Sequence, residues 1–105
     1  MFLNWKSIEM ILKKRIKIKN PQGLHARPAS LFVKIANRFE SEVTVRKGQE
    51  AVNGKSIMGL MTLAANEGSV LELEVSGNDA EKAMEELEKF LVSDTEEDKP
   101  KENRK

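Results

Sequence analysis

Arg15-Ile16-Lys17-Ile18-Lys19, Asn20-Pro21-Gln22-Gly23 and Leu24-His25-Ala26-Arg27-Pro28-Ala29-Ser30 follow one another without a break. Across them the spacing of apolar residues changes from every second position to every third or fourth. The first segment alternates polar and apolar, as a half-buried strand does, and the second is a turn cluster that ends it. The third opens a helix predicted from Ala26 to Phe39, whose Phe32, Ile35, Ala36 and Phe39 recur at helical spacing and are expected in the core. With His25 as N-cap, Pro28 falls in the first turn, where its missing N–H costs nothing. Gly23 permits the sharp entry that a residue with a Cβ would resist.

The same grammar organises the rest of the chain. Glu42-Val43-Thr44-Val45-Arg46 alternates again, and Lys47-Gly48-Gln49 connects it tightly to a short strand over Glu50 to Val52, which makes a hairpin. Ser56 stands at an N-cap position before a short methionine-containing helix from Ile57 to Ala64. A strand over Ser69 to Val75 follows, with Leu71, Leu73 and Val75 facing in and Glu72 and Glu74 facing out. After Gly77-Asn78-Asp79 a last helix carries Ala80, Ala83, Met84, Leu87 and Leu91 on one face, opposite a run of Glu and Lys. The order is βαββαβα. One apolar face per strand and one apolar stripe per helix indicate an α+β fold, an antiparallel sheet with its helices on a single side.

Composition narrows the function. The 105 residues include 18 basic and 17 acidic ones, which fits one small domain and gives no global field for nucleic acid or an anionic membrane. With no cysteine and one histidine, disulfides, thiolate catalysis and a protein-ligated metal site are not expected, and no cofactor is. No segment supplies the run of about 20 apolar residues that a membrane span needs. Lys6 and Glu9 break any signal-peptide centre in Met1 to Lys14. A cytoplasmic protein without stable membrane association is expected.

The single histidine is the strongest chemical signal. At a helix N-terminus, first-turn N–H groups lack intrahelical partners and the macrodipole places partial positive charge, so an anion carried on the imidazole is stabilised. Arg27 adds a planar cation able to bind phosphate oxygens bidentately. Imidazole is nucleophilic near neutrality and leaves readily once phosphorylated. The same spacing also describes a histidine that merely caps a helix beside a surface arginine.

The run Gly23-Leu24-His25-Ala26-Arg27-Pro28-Ala29-Ser30, followed by Asn53-Gly54-Lys55-Ser56-Ile57-Met58-Gly59-Leu60-Met61, resembles the HPr family, histidine-containing phosphocarriers of the bacterial phosphoenolpyruvate-dependent sugar phosphotransferase system. The resemblance spans roughly Lys14 to Leu91. It implies an open-faced sandwich of four antiparallel strands and three helices. It further implies that His25 is the phosphorylated histidine, on its pros nitrogen rather than its tele nitrogen, with Arg27 as phosphate partner and Ser56 as a regulatory serine modified by an HPr kinase/phosphorylase. The implied partners are enzyme I as donor and sugar-specific IIA components as acceptors, with the protein a carrier and not an enzyme. Apolar docking residues are expected near the histidine: Leu24, Ile57, Met58 and Met61, methionine being adaptable to several partners. Met58 and Met61 also fit an ordinary core role, and Ser56 an ordinary N-cap.

Two other functional classes stand beside the carrier. One is a regulatory paralogue in which phospho-Ser56 binds a transcription regulator and His25 carries little flux; the pairing of His25 with Arg27 argues against it. The other is an enzyme using His25 as general base, disfavoured by the lack of a fixed acid or nucleophile beside it. The carrier domain is expected over 14–92. Residues 1–13 form an extension, either an amphipathic segment with Trp5, Ile8, Ile11 and Leu12 at helical spacing or residues upstream of a start at Met10. Residues 93–105 form a charged tail, expected to be disordered because it has almost no apolar side chains to bury.

Overall fold

A computed structural model describes residues 11–93. The elements run β1 (Ile11–Lys17), α1 (Ala26–Ala36), β2 (Glu42–Lys47), β3 (Glu50–Asn53), α2 (Ile57–Thr62), β4 (Val70–Ser76) and α3 (Ala80–Val92). The strands form one sheet in the order β1-β4-β2-β3, every pairing antiparallel. The βαββαβα order and the antiparallel open-faced sandwich predicted above are those observed. The last element drawn into the sheet, β4, occupies an interior position, so β1 and β2 lie on either side of it in a split βαβ arrangement. Of the amphipathic pattern expected in residues 1–13, Ile11 and Leu12 lie instead in β1, opposite Ser76 and Val75; the rest of that pattern and the charged tail over 94–105 lie outside the described residues.

The interior strands show why the sheet has one covered face. Leu71, Leu73 and Val75 of β4 and Val43 and Val45 of β2 are buried, while Glu72, Glu74 and Thr44 between them stay partly exposed. Against the apolar face pack Phe32, Ala36, Ala83 and Leu87, with Phe32 and Phe90 meeting edge to face at 6.4 Å between ring centroids. The Lys47–Glu50 hairpin pair closes over Gly48, which adopts φ +62°, as the tight two-residue connection requires.

Boundaries differ where alternation or helical periodicity is interrupted. The first strand was expected over Arg15 to Lys19 and instead runs from Ile11 to Lys17, with Ile18 still bonded across to Ser69 and Gly68. Lys14 lies opposite buried Leu73, a position the period reserves for an apolar residue. Its ammonium instead reaches Glu88 of α3 at 2.8 Å, which keeps the charge in solvent. Helix α1 stops at Ala36 rather than Phe39, since the N–H groups of Arg38 and Phe39 bond three residues back, to Ile35 and Ala36. Ile35 and Phe39 are only partly buried against the core. Helix α2 ends at Thr62 because Ala64 turns into the left-handed region at φ +50°.

The α1–β2 connection is tied to the start of α3. Asp79 is the N-cap of α3 yet makes no side-chain bond to its own helix. Its carboxylate accepts instead from the Ser41 hydroxyl at 2.5 Å, from the Ser41 N–H at 3.0 Å and from the Glu40 N–H at 2.9 Å. The Ser41 hydroxyl first, then the Glu40 N–H, hold the carboxyl below its ordinary value.

Two outcomes follow. A carboxyl whose folded value is lowered contributes stability that is complete above its unfolded value, about 3.9, and that is lost as pH falls through the folded value. Urea unfolding of wild type and Asp79→Asn should therefore differ most near neutrality and converge in the acid range, and parallel stability curves down to low pH would contradict the tie. Ala64→Gly should raise stability by about 0.5–1 kcal/mol in the same assay, the relief of left-handed strain exceeding the extra unfolded-state entropy.

Candidate functional site

The turn after β1 is built by Asn20, a buried polar residue. Its side-chain oxygen accepts from the Gln22 N–H at 2.8 Å and its carbonyl from the Gly23 N–H at 3.0 Å, an Asx-type turn. Gly23 then adopts φ +65°. A Cβ there would lie 2.5 Å from the Ala65 carbonyl oxygen and 2.8 Å from the Asn66 Cα, so glycine is required by space as well as by conformation. The next N–H, of Leu24, donates to that Ala65 oxygen at 2.8 Å.

This crossing of chains sends Leu24 inward and His25 outward. Leu24 is only 2 % exposed and belongs to the core. It therefore drops out of the expected docking set, because a side chain sealed beneath the turn presents no surface to a partner. His25 is exposed and is the N-cap of α1, with extended backbone and no side-chain bond to the helix. The Ala29 N–H bonds to the His25 carbonyl, which leaves the N–H groups of Ala26 and Arg27 pointing out of the first turn without an intrahelical partner. Pro28, buried at the third helical position, has no N–H to satisfy.

His25, Arg27 and Asn66 share a shallow surface depression with Pro21 and Glu67. Exposed Arg27 and the helix N-terminus supply positive potential, while Glu67 adds a negative charge to the lining. The imidazole Nε2 lies 3.2 Å from the Asn66 side-chain oxygen. With that oxygen as acceptor, the proton of a neutral His25 sits on Nε2 and the lone pair on Nδ1. Such a site offers an exposed imidazole next to anion-stabilising groups in an open depression.

Ser56 occupies the matching position on α2. It is the N-cap, and its Oγ accepts from the Gly59 N–H at 2.9 Å. Ahead of it, the Asn53 side chain accepts from the Lys55 N–H and the Asn53 carbonyl from the Ser56 N–H. Leu60 anchors α2 in the core, whereas Ile57, Met58 and Met61 are 40 %, 76 % and 44 % exposed. The two methionines are thus surface residues rather than core ones. Asn66 is the residue of the depression that sequence reasoning missed. It lies 41 positions from His25 in the α2–β4 connection, and no spacing pattern links the two. Among the described residues no group of acidic, histidine or cysteine side chains could hold a metal ion, and no helix is long and apolar enough to cross a membrane.

Comparison with known proteins gives the family. Residues 12–93 match the family model of the PTS HPr component phosphorylation site. The chain is 53 % identical over 77 residues to the phosphocarrier protein HPr of Neisseria meningitidis, covering 73 % of this chain and 86 % of that protein. It is 49 % identical over 81 residues to the HPr-like protein Crh of Halalkalibacterium halodurans, covering 77 % and 96 %. A crystal structure of a phosphocarrier protein HPr from Bacillus anthracis superposes with a TM-score of 0.75 at 43 % identity, over 77 % of this chain and 96 % of that one. The protein whose first helix has His25 as its N-cap belongs to the HPr family of the phosphotransferase system.

Proposed function

We propose that this protein is a cytoplasmic phosphoryl carrier that accepts a phosphoryl group on Nδ1 of His25 from phosphorylated enzyme I and passes it to sugar-specific IIA components. The observation that supports this best is the exposed His25 imidazole at the start of α1, beside Arg27, with Nε2 within hydrogen-bond distance of Asn66. In the forward step the Nδ1 lone pair forms the N–P bond, and the bond from phosphorus to the donor breaks with its electron pair going to the donor. The Arg27 guanidinium and the open N–H groups of the first turn take up the phosphoryl charge. In the second step an acceptor nitrogen on the IIA component attacks the same phosphorus and His25 is the leaving group. Neither step requires turnover by this chain alone.

Ile57, Met58 and Met61 form the proposed docking surface, an apolar and deformable patch suited to more than one partner. Ser56, at the edge of that patch, is the proposed regulatory site of an HPr kinase/phosphorylase. A phosphate on its Oγ is tolerated by the helix N-terminus it caps, while it sets a strong charge beside residues that a partner must desolvate. The similarity to Crh supports a second role, in which phospho-Ser56 binds a transcription regulator. The presence of His25 beside Arg27 supports the carrier role.

Incubation with phosphoenolpyruvate and enzyme I should place acid-labile phosphate on His25, and His25→Ala should abolish it; acid-labile label persisting on the variant would refute the assignment. Ser56→Asp should keep the fold and bind enzyme I at least about tenfold more weakly, the loss of about 1.4 kcal/mol expected when a charge is placed against a docking face. Equal affinity in a titration of the two proteins would remove the partner-repulsion role.

A further inference from the structure

Asn66 belongs neither to the motif around His25 nor to the one around Ser56, yet its side-chain oxygen is the hydrogen-bond partner found for the imidazole. Its backbone is held on both sides. The Asn66 N–H donates to the Ser69 hydroxyl at 3.0 Å, and the Asn66 carbonyl accepts from the Ser69 N–H at 2.9 Å. Immediately before it, the Ala65 carbonyl is bonded to Leu24, the residue that precedes His25. The acceptor oxygen and the ring therefore hang from two chains locked together at Gly23 and Ala65. Both side chains are exposed, so neither is placed by burial.

We propose that Asn66 is a positioning residue for phosphoryl transfer: its side-chain carbonyl holds the His25 proton on Nε2 before and after the phosphoryl group arrives, reserving Nδ1 as the atom that bonds phosphorus. This rests on His25 being the acceptor. A neutral imidazole exchanges between two tautomers, and only the one with its lone pair on Nδ1 can attack there. When Nδ1 bonds to phosphorus and the donor bond breaks toward the donor, the Nε2–H proton stays in place. The ring becomes a phosphorylated imidazolium, whose N–H is a stronger donor to the same oxygen. No proton has to move in either direction of the transfer. An amide suits this task better than a carboxylate, since it accepts the bond without setting a negative charge next to an incoming phosphoryl group.

The test uses full-length protein carrying ¹⁵N-labelled histidine, whose single imidazole gives one pair of ring resonances. In the unphosphorylated wild type, recorded where the ring is neutral, the two shifts should report the Nε2–H tautomer as dominant. Asn66→Ala should draw the two shifts toward each other as the second tautomer gains population, and Asn66→Asp, which keeps an acceptor oxygen in place, should restore them. A general structural role for Asn66 would not produce that restoration. With enzyme I as donor, Asn66→Ala should accept the phosphoryl group about threefold to tenfold more slowly, the range for one exposed hydrogen bond. Unchanged ring shifts in Asn66→Ala, or an Nδ1–H tautomer in wild type, would overturn the proposal even if His25 is phosphorylated normally. Absence of phosphate on His25 in wild type would instead refute the carrier assignment, leaving the tautomer measurement to be read by itself.

Discussion

Two backbones meet at Gly23 with no room for a side chain between them. The Ala65 oxygen that a Cβ would strike is the oxygen that accepts from the Leu24 N–H. This one contact joins the β1–α1 connection to the α2–β4 connection and sets what each can do. It drives Leu24 into the core, and the alternation of the extended backbone then turns His25 out to solvent. It begins α1 where Pro28 fits its first turn. It also brings Asn66 to the imidazole. The proposed phosphoryl transfer would need an exposed ring with a defined orientation, and a surface side chain gains orientation only from a neighbour that is itself fixed.

The two serine- and histidine-headed helices use one physical device in opposite ways. A helix N-terminus offers unsatisfied N–H groups and a positive field. At α1 the cap residue makes no side-chain bond to the helix, so those groups stay open to an anion held just outside. At α2 the hydroxyl of Ser56 already engages the Gly59 N–H, so an added phosphate would meet donors that are already oriented. The first arrangement favours a group that arrives and departs. The second favours a modification that leaves the helix standing and changes the surface around Ile57, Met58 and Met61.

Fold class was legible because β2 and β4 keep strict alternation and α1 and α3 keep a single apolar stripe, patterns set by burial on one face. The family motif lies in two short segments, so His25, Arg27 and Ser56 could be singled out, and the structure puts the first two in one depression. What was not legible had a partner far away in sequence. Lys14 falls outside the strand that alternation predicts from Arg15, and its partner Glu88 lies 74 positions away. Leu24 reads as a surface residue beside a functional histidine until the turn buries it. Asn66 and Asp79 carry no local signature at all, because the groups they bind, His25 and Ser41, are 41 and 38 residues away.

Distance in sequence also explains where strain is tolerated. Ala64 sits at φ +50° without being glycine, a conformation that costs about 1–2 kcal/mol for a residue with a Cβ. The bend comes directly after α2 and delivers the Ala65 carbonyl to Leu24 and the Asn66 side chain to His25. The Lys47 ammonium reaches the carbonyls of Leu63 and Ala64 at 3.2 and 3.3 Å, placing a cation at the negative end of α2 and pinning the bend from the other side. Strain at one residue persists when the contacts on both sides of it determine the backbone. Here those contacts are the Lys47 cap before the bend and the Leu24 bond after it. Removing the strain with glycine would leave both in place, so stability and site geometry are separable at this position, whereas at Gly23, where two backbones touch, they are not.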